Sequence, residues 1–298
     1  MKLKEALPEI FRRPVPVVAE GTAILVAGTL LDTPRRDVLP VVGSSDMSLK
    51  FVSKDLGGRY LMAFAGHAIL SRLLERKPRD HYKFLFEPIE NVALSVQAIP
   101  ADEEITTLFR AFARTRFGWA VIEDSGTCAL VTLADLIPLY DRKILNSDLR
   151  VKDVASKVFA LPRDTKLSRA LQEMIRHGVR RVFLSGSNRS VSDREILTFI
   201  FSPVRLAVVR NSPPEMLEAT LEDVESVEPI VVDSNITLGE ASELFKPVSG
   251  AWCLACSEGI VTPWDLIVKP WKIGHLIIRE KMEQIHDTGE QTGSRFSK

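Results

Sequence analysis

The chain has 298 residues, 45% hydrophobic and 26% charged, the balance of a folded globular protein with room for two ordinary domains. Lys plus Arg and Asp plus Glu both number 39, and this zero net charge gives no support to nucleic-acid or membrane-surface binding by bulk electrostatics. No apolar run approaches the ~18 residues of a membrane helix, residues 1–13 lack the apolar stretch of a signal peptide, and three cysteines fit a reducing, cytoplasmic setting better than a disulfide framework.

One pattern recurs four times along the chain. In the first unit, anchored at Ala19, a helical stripe at Ile24, Ala27, Gly28 and Leu31 precedes the strand Val38-Leu39-Pro40-Val41-Val42. A terminal hydroxyl falls at Ser53, with Leu56 three places on, and Arg59 to Glu75 is expected as the closing helix. Pro78 to Pro88 reads as a linker with aromatic anchors. The second unit starts from Pro100. Ile105, Leu108, Phe109, Phe112 and Ala113 lie at i, i+3, i+4, i+7 and i+8, one face of a helix. Trp119 to Ile122 and Ala129 to Val131 follow as strands, ending at Thr132, and residues 141–150 link the two halves.

In the third unit an apolar run ends at Pro162, and Leu167, Ala170, Leu171, Met174 and Ile175 form the stripe. After Gly178 come the strand Val182-Phe183-Leu184, a polar turn with Gly186 and Asn188, a short strand ending at Val191, and then Ser192 before a second helix. Pro203 to Pro214 reads as the link to the fourth unit. There, from Asp233, the stripe is Leu238, Ala241 and Phe245. A hairpin joins Trp252-Cys253-Leu254 to Ile260-Val261 around Glu258-Gly259, and the unit ends at Thr262. Beyond Pro270, Ile273 to Ile285 is expected as an amphipathic helix and the segment after Gly289 as a disordered tail.

Each unit thus reads strand, helix, strand, strand, helix and closes on a hydroxyl residue. The runs Leu39-Pro40-Val41-Val42-Gly43, Val131-Thr132-Leu133-Ala134-Asp135-Leu136 and Val261-Thr262-Pro263-Trp264-Asp265-Leu266 resemble the cystathionine-β-synthase (CBS) domain family across residues 8–270. The resemblance implies an α/β (α+β) fold of four CBS repeats paired through their sheets into two pseudo-twofold Bateman modules. These would span 1–145 and 146–270, with a C-terminal helix and tail at 271–298, a layout similar to the gamma subunit of AMP-activated protein kinase. It further implies a regulatory sensor of adenine nucleotides (AMP, ADP or ATP). Such a sensor needs no cofactor, has no catalysis of its own, reports to a regulated protein and forms a homodimer.

The site residues follow from what a nucleotide presents. A ribose offers two neighbouring hydroxyls, and an ionised carboxylate has acceptors for both. A hydroxyl residue three places earlier opens a helix whose free N–H groups favour a phosphate. These conditions mark Thr132 with Asp135, Ser192 with Glu195, and Thr262 with Asp265. The same spacing is also a helix capping box, so a purely structural role stands beside the binding role. Unit one carries Leu56 at the carboxylate position and is expected to be silent. Arg180 and Arg181 match the basic pair that reaches ligand phosphates in the gamma subunit, one facing the cleft and one away because strand side chains alternate. Unit two has Gly118 and Trp119 there, and Trp119 reads as core rather than as a platform for a base.

Cys253 and Cys256 lack the second pair a zinc site needs. The five histidines are scattered, and neither a phosphate-binding glycine loop nor a nucleophile elbow is present. Three rivals to the sensor remain: a scaffold with empty clefts, a nucleic-acid-binding regulator disfavoured by the zero net charge, and an enzyme disfavoured by the missing catalytic groups.

Overall fold

The computed structural model describes residues 1–31, 38–45, 51–55, 58–125, 127–142, 144–145, 148–245 and 252–271. Leu56, parts of the 141–150 link, and the helix and tail expected beyond Pro270 lie outside the described residues, apart from Trp271. Among the described residues no helix is long and apolar enough to cross a membrane. The chain divides into two compact units, one of 1–111, 116–132 and 158–229, the other of 112–115, 133–157 and the residues from 230 onward.

Three repeats share one plan. In repeat three, Ala160–Leu161 pairs parallel with Arg181–Leu184, which pairs antiparallel with Ser190–Ser192. The parallel pair needs a crossover, supplied by the helix Leu167–His177. That helix stops at Gly178, whose φ of 64° is the left-handed conformation that a C-terminal cap requires. Repeat two has the same order in Ile99–Pro100, Ile105–Thr115, Trp119–Asp124 and Thr127–Thr132. Repeat four has it in Ile230–Val231, Leu238–Leu244, Leu254–Cys256 and Gly259–Val261, closed by a helix over 263–271. Its hairpin strand starts at Leu254, and Trp252 lies in a bend before it.

Repeat one departs from the expected register. The stretch from Arg59 reads in sequence as part of a closing helix, but Gly58–Ala65 is a strand, paired antiparallel with Val38–Val42, Phe51–Asp55 and Leu94–Gln97. The closing helix is only Gly66–Glu75, with Ala65 at its N-cap. Ser53 therefore lies within an added hairpin strand and not at the opening of the helix. The cause is burial on both faces: Leu61, Ala63, Phe64 and Ala65 are all in the core, so the strand shows an unbroken apolar run instead of an alternation. A second correction concerns Pro203 to Pro214, expected as a link, where Pro203–Asn211 is an α-helix. Ser202 caps it by accepting from the Arg205 N–H at 3.2 Å, and Pro203 occupies the first helical position, where its missing N–H costs nothing. Val204 and Val208 are exposed, so this helix has no complete apolar stripe to announce it.

Repeat one lies between two neighbours. Its sheet residues Val38, Leu61, Ala63, Ala65 and Val96 form one cluster with Trp119, Val121 and Leu130 of repeat two. Trp119 is thus a core residue, stacked on Phe117 with ring centroids 5.0 Å apart. Its helices supply Ile24, Ala27, Ile69 and Leu73 to a larger cluster with Leu171, Met174, Ile196 and Phe201 of repeat three. Each of the larger side chains among them (Ile, Leu, Met and Phe) contributes about 1.5–3 kcal/mol. The contact is close because Gly28 has no side chain: a Cβ there would clash with the Phe201 ring, 2.5 Å from Cε1 and 2.8 Å from Cε2.

Gly28→Ala should therefore lower stability, because an overpacking cost of about 1–3 kcal/mol outweighs a helix-propensity gain of about 0.5–1 kcal/mol. Phe201→Leu in the same chain should recover part of the loss in urea denaturation. A Gly28→Ala midpoint at or above the parent's would contradict this packing.

His81, at the start of the short helix His81–Phe84, is buried. Burial pushes its pKa below the usual imidazole value, and hydrogen bonds with the backbone at Arg76 and Leu73 oppose that shift only in part. The folded state thus holds the proton less well than the unfolded chain. The resulting stability is present above pH ~6.5, the unfolded value, and is lost as the pH falls below it towards the lower folded pKa. Urea midpoints between pH 7.5 and 5 should decline in the parent and decline less in His81→Leu. Equal slopes in the two proteins would rule out this role.

Candidate functional site

The closing helices open on different chemistry in each repeat. In repeat one the N-cap is Ala65, with no side-chain cap, and Ala68 stands where a carboxylate would be. The first repeat therefore offers a ribose no acceptor side chain there, with Ala68 rather than Leu56 in the key place. In repeat two Thr132 is buried at the end of its strand, paired with Trp119, and Asp135 lies half-buried in the short helix Leu133–Leu136 that follows.

Repeat three carries both carboxylate and cation. Ser192 caps the helix Asp193–Phe201 by accepting from the Arg194 N–H at 3.2 Å, and its own N–H donates to Glu195 Oε2 at 2.6 Å. Arg181 reaches the same carboxylate: its Nη1 lies 3.7 Å from Glu195 Oε2 and donates to Ser190 Oγ at 2.9 Å. Both side chains are largely covered, at 12% and 16% exposure. Even so, Glu195 Oε1 and the Nε and Nη2 of Arg181 have no protein partner among the described residues. Arg180 takes a different course. Its Nε donates to Asp193 Oδ2 at 2.7 Å, and its side chain is 43% exposed. The two neighbouring arginines therefore have separate partners, Arg181 from the first position of the strand and Arg180 from the bend before it.

Two recesses adjoin repeat three. One, bordered by Gly66, His67, Arg180, Asp193 and Arg194, encloses about 20 Å³. That is room for a single water and not for a nucleotide. The other, at the start of the helix Leu167–His177, is bordered by Pro162, Asp164, Thr165, Lys166, Ser168 and Arg169 and encloses about 420 Å³. That volume lies within the range of small-molecule sites. Sequence reasoning passes over these residues because Lys, Arg and Ser at the start of an amphipathic helix read as its solvated face.

Repeat four is closed around Asp265, which is 3% exposed. Its Oδ2 accepts from Thr262 N at 2.9 Å and Thr262 Oγ1 at 2.7 Å, fixing the first turn of the closing helix. Its Oδ1 accepts from Ser156 Oγ at 2.7 Å and is 2.8 Å from Lys269 Nζ. Ser156 is held there by a two-way backbone bridge with Ile260, at 2.8 and 2.9 Å. Gly259 makes room for it, with a φ of +146° and no side chain to meet the Ser156 carbonyl. Lys269 follows Asp265 by one helical turn, a spacing visible in the sequence, whereas Ser156 is 109 residues away and only the fold brings it there. Cys253 is buried, Cys256 ends a strand, and no metal-holding group of His, Cys, Asp or Glu occurs among the described residues.

No protein-family profile matches the chain, and no curated protein matches it. Solved structures do. Protein MJ1225 from Methanocaldococcus jannaschii, described as a candidate archaeal homologue of γ-AMPK, superposes with a TM-score of 0.72 at 15% identity over 89% of this chain and 98% of its own. An uncharacterised conserved protein from Pyrococcus horikoshii covers the same shares at 12% identity and a TM-score of 0.49. The CBS domain protein PAE2072 from Pyrobaculum aerophilum, solved in complex with AMP, covers 46% of this chain and 90% of its own, at 14% identity and a TM-score of 0.35. Only the first likeness bears weight, and at 15% identity it speaks for fold alone. With the repeat plan observed above, it gives the architecture of this chain: an α+β fold in the CBS layout.

Proposed function

We propose that the protein is a regulatory sensor of an adenine nucleotide, with repeat three as the principal recognition element. The observation that carries this reading is the Arg181–Glu195 pair. Two mostly covered, oppositely charged groups keep a spare carboxylate oxygen and spare guanidinium donors. These spare atoms are open to solvent, so a ligand with hydroxyls to donate and an anion to accept could take the place of water on them. A nucleotide has both. The carboxylate would take a ribose hydroxyl, and the guanidinium, with its planar fork of donors, would take a phosphate.

Thr132 and Asp135 of repeat two would add a second hydroxyl–carboxylate set of the same kind. Pairing of the repeats into modules at 1–145 and 146–270, a homodimer, a cytoplasmic setting and action on a partner protein rather than catalysis belong to the same proposal. The scaffold reading has an observation of its own, since Ser192–Glu195 is a complete helix capping box and Thr262 donates both its N–H and its hydroxyl to Asp265 at the start of the closing helix.

Titration calorimetry with AMP and adenosine separates these readings. Glu195→Ala should weaken both ligands by roughly tenfold to a hundredfold, the equivalent of about 1.5–3 kcal/mol of charge-assisted hydrogen bonding. Arg181→Ala should weaken AMP strongly, leave adenosine nearly unchanged and reduce the salt dependence of AMP binding. Arg180→Ala, in the exposed bend before the strand, serves as the control. A parent chain that binds neither ligand would leave the scaffold reading in place.

A further inference from the structure

The donors and acceptors around Asp265 close on themselves. A carboxylate has about four lone-pair sites. Here all of them are engaged, Oδ2 by Thr262 N and Oγ1, Oδ1 by Ser156 Oγ and Lys269 Nζ. The Lys269 ammonium carries about three donors, and each has an acceptor: Asp265 Oδ1 at 2.8 Å, Ser156 Oγ at 2.7 Å and the Val154 carbonyl at 2.7 Å. The Ser156 hydroxyl both donates to Asp265 and accepts from Lys269. A ribose diol brings two donors to a carboxylate, and this carboxylate has no acceptor site left. Burial raises the cost of any exchange, because an ammonium turned away from Asp265 leaves an uncompensated charge behind.

We propose that Lys269 is an internal plug on repeat four. Its ammonium stands in for the sugar at Asp265, so Thr262 and Asp265 hold the closing helix in place, and nucleotide recognition falls to the other repeats. This inference rests on the nucleotide reading above and adds its specificity determinant, the residue that decides which repeats are open. Repeat three shows the contrast. Glu195 has the same place at the head of its helix but keeps Oε1 free. One helical turn on, where repeat four has Lys269, repeat three has Phe199, which brings no charge to the carboxylate. The cation of repeat three, Arg181, comes instead from a strand.

The test is titration of the full chain with adenosine, in the parent, Asp265→Asn, Lys269→Met and the double variant. Asp265→Asn should leave the affinity and number of adenosine sites unchanged. Lys269→Met frees one acceptor on Asp265 Oδ1 and one on Ser156 Oγ, the two a diol needs, so it should add one equivalent of bound adenosine, and Asp265→Asn in the same chain should abolish that gain. Loss of adenosine affinity by tenfold or more in Asp265→Asn would overturn the plug, and so would a folded Lys269→Met with the parent's stoichiometry. Circular dichroism checks that Lys269→Met is folded. If it is not, Lys269→Gln, which retains a neutral donor, replaces it under the same criteria. A parent that binds nothing while Lys269→Met gains a site would sink the repeat-three reading alone. Normal parental binding with no gain would sink the plug alone, and no binding in either would sink both.

Discussion

The close approach of repeat one to repeat three is the constraint on which the first compact unit depends. Two glycines permit it: a Cβ on Gly28 would clash with the Phe201 ring, and one on Gly66 would lie 2.9 Å from Leu197 Cδ2. Phe201 and Leu197 belong to the closing helix of repeat three, and the first turn of that helix carries Ser192 and Glu195. Packing behind the helix therefore fixes the position of the carboxylate in front. A site held in place by its core gives up less conformational freedom when a ligand binds, and so retains more of its contact energy as affinity.

The four helix openings show one structural need met alongside different chemical options. Every helix start exposes N–H groups that want acceptors. Repeat one leaves this to Ala65, with no side-chain cap. Repeats three and four supply a hydroxyl and a carboxylate, and such caps contribute about 0.5–2 kcal/mol whether or not a ligand is present. What distinguishes them is the rest of the carboxylate. In repeat three an arginine stands at 3.7 Å and one oxygen is spare, while in repeat four a lysine and a serine complete the shell. A capping box and a ribose site are thus the same residues in different company.

Much of the fold is legible in the sequence where a helix has one buried face. Leu167, Ala170, Leu171 and Met174 are buried as their spacing requires, and the exposure of Ile175 marks only the edge of that stripe. Legibility fails where burial erases the period. The strand Gly58–Ala65 is packed on both sides, so its apolar run merges with the helix after it, and Ser53 takes on in the sequence a role that belongs to the position of Ala65. The helix Pro203–Asn211 is missed for the opposite reason, since its exposed valines leave too weak a stripe. At the site, spacing locates Glu195 and Asp265 and places Phe199 and Lys269 one turn after them. What it does not locate is Ser156, brought to Asp265 by a backbone bridge that no local pattern encodes.

The central claim, that this chain holds an adenine nucleotide, is tested most directly by native mass spectrometry of the freshly purified protein. Beside the bare chain, a discrete species heavier by one adenine nucleotide is expected, increasing on addition of AMP and lost on exhaustive dialysis. A single bare-chain mass that stays unchanged through excess AMP would contradict it.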